Sequence, residues 1–182
     1  MKKLGFGCMR MPLLETGNPE SVDREHVCRM VDRFLEKGGT YFDTAYMYHH
    51  FQSERIVKEV LVDRHPRDTY TLADKLPVVF LQCPEDVERI FQEQLKKCGV
   101  DYFDYYLLHD LSTSHYEQAE KYDCFSFLRK LKETGKARHI GFSFHDTADV
   151  LDQILTRHPE VEFVQLQINY LDWEDAGIQS RL

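Results

Sequence analysis

Six short β-rich runs, each separated from the next by a loop and an amphipathic helical stretch, constrain this chain more than anything else in its sequence. The runs are Leu4–Cys8, Thr40–Asp43, Tyr70–Lys75, Phe103–Leu108, Arg138–Ser143 and Phe163–Ile168. Between the first two, Asp23–Lys37 carries Val27, Met30, Val31, Phe34 and Leu35 on one face and stops at Gly38-Gly39. Ser53 is placed to N-cap a helix through Ile56, Val57, Val60 and Leu61. Pro84 suits the first position of the next helix, Glu85 and Asp86 suit the positive end of its dipole, and Gly99 ends it. A further helix is predicted over 117–134, ending at Gly135, and a short one over Thr147–Thr156. Strands alternating with helices pair in parallel through right-handed crossovers. The unbroken apolar run Phe103–Leu108 is the pattern of a strand buried on both faces.

A doubly wound open sheet and a barrel both satisfy this alternation. A dinucleotide-binding open sheet wants G-x-G-x-x-G and a helix directly after its first strand. Here Leu4-Gly5-Phe6-Gly7-Cys8-Met9 has only the first two glycines and no such helix. One strand–helix unit takes roughly 32 residues, and eight units need about 250. The chain has 182 residues and stops inside the stretch after the sixth run. The expectation is an α/β chain forming about six of the eight units of a (β/α)8 TIM barrel, as a single domain over 1–182. A sheet left open after six strands has two unpaired edges, so such a chain alone is expected to be inactive and not to persist as a monomer.

Composition narrows the function. A net charge of -8 argues against nucleic acid as a general partner. No apolar run approaches the roughly 20 residues of a membrane span, so no membrane partner is expected. Lys2-Lys3 is not followed by the apolar stretch of a secretory leader. Cys8, Cys28, Cys83, Cys98 and Cys124 are scattered, with no C-x-x-C, so neither a disulfide framework nor a zinc knuckle is expected. A reducing cytoplasm is the expected location.

Catalytic groups of barrels collect at the C-terminal ends of the strands. Those ends carry Cys8-Met9-Arg10, Asp43, Lys75, His109, Ser143 and the series Gln165, Gln167, Asn169. Singly each has an ordinary reading, as a turn cap, a solvated lysine or a histidine beneath a loop. At successive strand ends they form a set. Tyr48, shortly after Asp43, adds a phenol, a poor acid at neutrality with an ordinary pKa near 10. A Lys75 ammonium beside it would lower that value, and Asp43 would hold Lys75 charged and turned inward. His109 could hydrogen-bond a substrate oxygen from the other side. Such a group is suited to protonating a carbonyl oxygen while a hydride reaches its carbon. His49-His50 has no further ligands converging on it, so no metal site is expected. With Tyr46, Met47 and Phe51 the two histidines are expected to line the substrate mouth. Trp173, amid Asp172, Glu174 and Asp175, reads as a lid or a surface anchor.

Phe42-Asp43-Thr44-Ala45-Tyr46-Met47-Tyr48 with Ser53-Glu54 resembles the aldo/keto reductase signature. Ala73-Asp74-Lys75, Tyr105–His109 and Gly135–Ser143 are similar to that family's next three blocks, in order. The resemblance implies a (β/α)8 barrel binding NADP(H) or NAD(H) without a Rossmann motif and acting on a small carbonyl or alcohol substrate. It places a catalytic tetrad on Asp43, Tyr48, Lys75 and His109, with Tyr48 as general acid/base. It places cofactor contacts at Cys8, Met9, Asp43, Ser143 and Gln165, the last to the nicotinamide carboxamide. Phe144 stands where most members carry asparagine. Gly7–Pro12 and Asn169–Asp172 resemble the branch with a C-terminal ferredoxin-like extension. This chain has no cysteine cluster for a 4Fe–4S centre, so that cofactor is expected only in a longer parent chain. Fold does not fix function, and the alternative is a non-enzymatic regulatory or binding protein on the same scaffold.

Overall fold

The computed structural model describes residues 3–168. Its first half contains β1 (Phe6–Gly7), α1 (Arg24–Glu36), β2 (Tyr41–Asp43), the short turn α2 (Tyr48–Phe51) and α3 (Ser53–Val57), which runs into a π-helical turn at Lys58–Val62. Then come β3 (Thr71–Leu76), α4 (Glu85–Cys98), β4 (Phe103–Leu111), α5 (Thr113–Lys121) and α6 (Cys124–Glu133). The last elements are β5 (Ala137–Phe144), α7 (Ala148–Arg157) and β6 (Phe163–Leu166). All strands are parallel and neighbour one another in chain order from β1 to β6. A doubly wound sheet reverses its strand order part-way. This one does not, and it curls into the wall of an incomplete (β/α)8 barrel, as the sequence predicts.

Alternate side chains take opposite faces of each strand. Toward the helices, Phe42 meets Phe34 of α1 (ring centroids 5.2 Å) and Tyr106 meets Phe91 of α4 (5.0 Å), within a core that includes Leu72, Ile90, Leu128 and Ile140. Inside the curl, Tyr105 meets Tyr41 (5.3 Å), His139 (5.0 Å) and Phe163 (5.5 Å). This aromatic floor forces Gly141 to be glycine, because a Cβ there would lie 2.5 Å from the Phe163 carbonyl oxygen.

Several boundaries differ from expectation. β1 is reduced to the two residues that pair with Phe42 and Asp43, and Leu4 lies outside it, exposed. Ser53 is not an N-cap: Gln52 takes that position, and the Ser53 hydroxyl is spent on Thr44 Oγ1 at 2.8 Å, tying α3 to the end of β2. The helix expected over 117–134 is two helices, broken at Asp123, whose left-handed φ of 52° aspartate tolerates better than most residues. β4 runs on to Leu111 through an irregularity that turns Asp110 left-handed (φ 59°), and β6 ends at Leu166 rather than Ile168. By contrast α4 stops as predicted at Gly99, with φ 71°. Asn169–Asp172, Trp173 and the expected final helix lie outside the described residues. The five cysteines are unpaired, and no described helix is long and apolar enough to cross a membrane.

Candidate active site

At the C-terminal ends of the strands the inward-facing side chains open onto a cleft of about 730 Å³. Met9, Asp43, Tyr48, Lys75, His109, Ser143 and Gln165 all line it. Lys75 is the most buried of them, 1% exposed. Its Nζ donates to Asp43 Oδ1 at 2.5 Å and to the Thr44 carbonyl at 2.8 Å, and lies 3.3 Å from Tyr48 Oη. Asp43 Oδ2 accepts from the Tyr41 hydroxyl and from Gln165 Nε2, each at 3.2 Å. A buried charge persists only when it is paired and hydrogen-bonded in this way.

Burial alone would depress the Lys75 pKa, but Asp43 and Tyr48 more than offset it and hold the ammonium above its ordinary value. Tyr48 departs from expectation. Lys75 pulls its pKa down, yet burial, aided by Asp43, outweighs that pull and leaves the phenol above its ordinary value. At neutral pH Tyr48 is therefore a protonated donor. Burial first, then Lys75, His145 and His115, push His109 down to about 3, so its imidazole is neutral. His109 presents its ring edge-on to Tyr48, with centroids 5.8 Å apart, and its Nδ1 is buried without a partner.

On β5, Ser143 Oγ accepts the Asp110 amide at 2.7 Å, catching the N–H that the β4 irregularity turns inward. Phe144 faces the other way, into the core beside Phe142. Met9 lines the cleft, 55% exposed, but Cys8 does not. The Cys8 side chain sits in the core, where burial pushes its thiol to about 12, and its amide donates to the Asp43 carbonyl at 2.8 Å.

Of the residues expected at the mouth, Met47, His49 and His50 line the cleft, whereas Tyr46 and Phe51 do not. Those two cluster with Phe80 beside it, and Tyr46 is held there by Glu93 at its hydroxyl and by Lys97 Nζ, 4.1 Å from its ring centroid. His49 is fully engaged: its Nε2 accepts from the Met11 amide at 3.1 Å and its Nδ1 donates to the Pro19 carbonyl at 2.9 Å. His49, His50 and Phe51 are consecutive left-handed residues, with φ of 50°, 49° and 67°. No group of described residues could hold a metal ion. Sequence reasoning missed Asp110 and His145, which also line the cleft. The available signal was their position, just beyond His109 and Ser143.

The aldo/keto reductase family profile matches residues 3–181. A probable aldo-keto reductase of Glycine max is 28% identical over 95% of this chain and 49% of its own length. A norsolorinic acid reductase of Emericella nidulans is 32% identical over 67% of this chain and 34% of its own. The chain spans about half the length of the curated relatives it matches. Among solved structures, the holo form of an aldo-keto reductase from Bacillus halodurans superposes with a TM-score of 0.70 at 25% identity, covering 98% of this chain and 59% of that one. An aldo-keto reductase from Klebsiella pneumoniae, solved with NADPH, shares the fold, with a TM-score of 0.67 at 24% identity and 97% and 60% coverage. With the curled parallel sheet and a match along nearly the whole sequence, the chain belongs to the aldo/keto reductase family.

Proposed function

We propose that this chain carries the proton-transfer site of an NADP(H)- or NAD(H)-dependent oxidoreductase that reduces an aldehyde or ketone to an alcohol, or runs the reverse reaction. The observation that carries this reading is the buried relay Asp43–Lys75–Tyr48, with steps of 2.5 and 3.3 Å, ending on a phenol that faces the cleft. The wall beside it fits a nicotinamide: Ser143 offers a hydrogen, Gln165 an acceptor oxygen, and Met9 an apolar surface. A nicotinamide bound there would supply or accept the hydride.

In reduction, Tyr48 Oη gives its proton to the carbonyl oxygen as the hydride reaches the carbon. Lys75 stabilises the phenolate left behind, and Asp43 keeps Lys75 charged and aimed. Neutral His109 donates an imidazole N–H to the same oxygen and fixes the carbonyl. Tyr48 then recovers a proton from solvent. The unpaired thiols support a cytoplasmic setting. The resemblance at Gly7–Pro12 supports an iron–sulfur extension in a longer parent chain only.

The test is oxidation of NADPH by the full-length protein with nitrobenzaldehyde and a panel of ketones. Turnover that disappears in Tyr48→Phe is the expected result. NADPH binding with no turnover on any carbonyl would instead make the protein a regulatory or binding member of the family.

A further inference from the structure

Lys75 is held from behind the sheet as well as from the cleft. The β2–β3 ladder ends at the Asp43–Ala73 pair, and the Lys75 amide then donates to Asp74 Oδ1 at 2.8 Å. The Lys75 carbonyl accepts from Gln94 Nε2 of α4 at 2.9 Å. The same amide nitrogen also reaches Glu54 Oε1 of α3 at 3.0 Å, while Gln94 Oε1 accepts from the Tyr106 hydroxyl at 2.5 Å. Asp74, Glu54, Gln94 and Tyr106 are all 0% exposed, in the layer between sheet and helices.

Asp74 and Glu54 are two carboxyls buried in this one layer, and burial raises both above their ordinary values. Burial and the Glu54 charge raise Asp74 well above its ordinary value. Lys97 Nζ lies 3.3 Å from Glu54 Oε2, which favours Glu54 as the anion and Asp74 as the acid. The Cys98 thiol completes the ring around Asp74, with Sγ 3.7 Å from Oδ2. Buried polar clusters of this kind are often replaceable by well-packed apolar residues without loss of stability, so they are weak evidence for a stabilising role. The polar groups there converge on the backbone of one residue.

The geometry points to Asp74, at the Lys75 amide, and Gln94, at the Lys75 carbonyl, as positioning residues that clamp the main chain of Lys75 and so fix its ammonium between Asp43 and Tyr48. The inference rests on the reading of Lys75 as the partner of a proton-transferring Tyr48.

The test uses the full-length protein and reads kcat, carbonyl KM, NADPH binding and hydrogen exchange at the Lys75 amide. Asp74→Asn keeps an oxygen for the Lys75 amide, so kcat should stay within about threefold of wild type. Asp74→Leu keeps the branched heavy-atom shape, with somewhat more bulk, and removes the acceptor of the Lys75 amide. It should lower kcat about tenfold or more with KM and NADPH binding within about threefold, and it should speed Lys75 amide exchange about tenfold. Gln94→Met, which strips the donor from the Lys75 carbonyl, should repeat the kcat pattern if Asp74→Leu does not fold. Ile90→Ala, a core truncation on α4 outside the network, should lower the melting temperature and leave kcat unchanged.

Wild-type kcat in folded Asp74→Leu or Gln94→Met would overturn the inference, as would an Asp74→Asn variant no better than Asp74→Leu. A wild-type protein that reduces no carbonyl would refute the reading of the site instead. The clamp would still stand or fall separately, on whether Asp74→Leu changes exchange at the Lys75 amide.

Discussion

Gln165 of β6 donates from Nε2 to Asp43 Oδ2 of β2 at 3.2 Å, across the barrel interior and 122 positions of sequence. With Lys75 on its other oxygen and Tyr41 beside Gln165, Asp43 is a carboxylate whose every neighbour is a donor. Tyr48, the proton donor proposed above, thus hangs through Lys75 from a side chain gripped by three strands. The consequences of removing each part differ, and they can be measured separately.

Tyr48→Phe should fold normally, because the hydroxyl makes one long contact, to Lys75 at 3.3 Å. Its kcat/KM for carbonyl reduction should fall about a hundredfold or more, near 3 kcal/mol, with NADPH affinity within about threefold. A loss under about threefold, less than 1 kcal/mol, would remove Tyr48 from the role of acid.

Lys75→Met should cost stability as well as rate. It strands Asp43, whose side chain is only 11% exposed, without its cation. Breaking a buried pair from one side costs about 3–5 kcal/mol, which urea denaturation would register. A variant with wild-type stability would show that Asp43 does not depend on Lys75.

His109 should give the protein an acid-sensitive stability. Its folded pKa is about 3 and its ordinary value 6.5, so between these values the unfolded chain binds a proton that the folded one refuses. Stability therefore falls as pH drops below 6.5, by at most about 1.4 kcal/mol per unit for this group, and the loss is complete near pH 3. His109→Gln should flatten that part of the urea-unfolding stability curve. Parallel curves for the two proteins would contradict the assignment.

His50→Gly should stabilise. The residue is left-handed at φ 49°, and its contact with Glu20 is long (3.5 Å) and exposed on both sides, worth little. Relief of the left-handed cost, roughly 1–2 kcal/mol, should exceed the entropy penalty of glycine, for a net gain of about 0.5–1 kcal/mol. His50→Val, β-branched, should destabilise. Thermal or urea unfolding of the pair checks both signs.

What the residues disclosed beforehand followed how local the deciding physics was. α4 was readable because its apolar face, acidic first turn and Gly99 stop all lie within one segment. The strand-end rule found Asp43, Lys75, His109, Ser143 and Gln165 because side-chain alternation aims these positions into the cleft. At the end of β1 it named Cys8-Met9-Arg10, of which Met9 and Arg10 line the cleft while Cys8 turns to the core, since a single step along a strand reverses the face. The choice of Thr44 by Ser53 and the turning of Tyr46 toward Glu93 depend on partners 9 and 47 positions away. The direction of the Tyr48 pKa was hidden for a similar reason: the proximity of Lys75 can be guessed from spacing, but the depth of burial that overrides it cannot.

The two hydrogen bonds of His49 have a mechanical consequence. Its ring rivets Met11 and Pro19, on the loop leaving β1, to the residue that follows Tyr48. Any displacement of the Tyr48 turn must either break both bonds or drag that loop with it. The rim between β1 and β2 is therefore tied into one piece, with Tyr48 mounted on it.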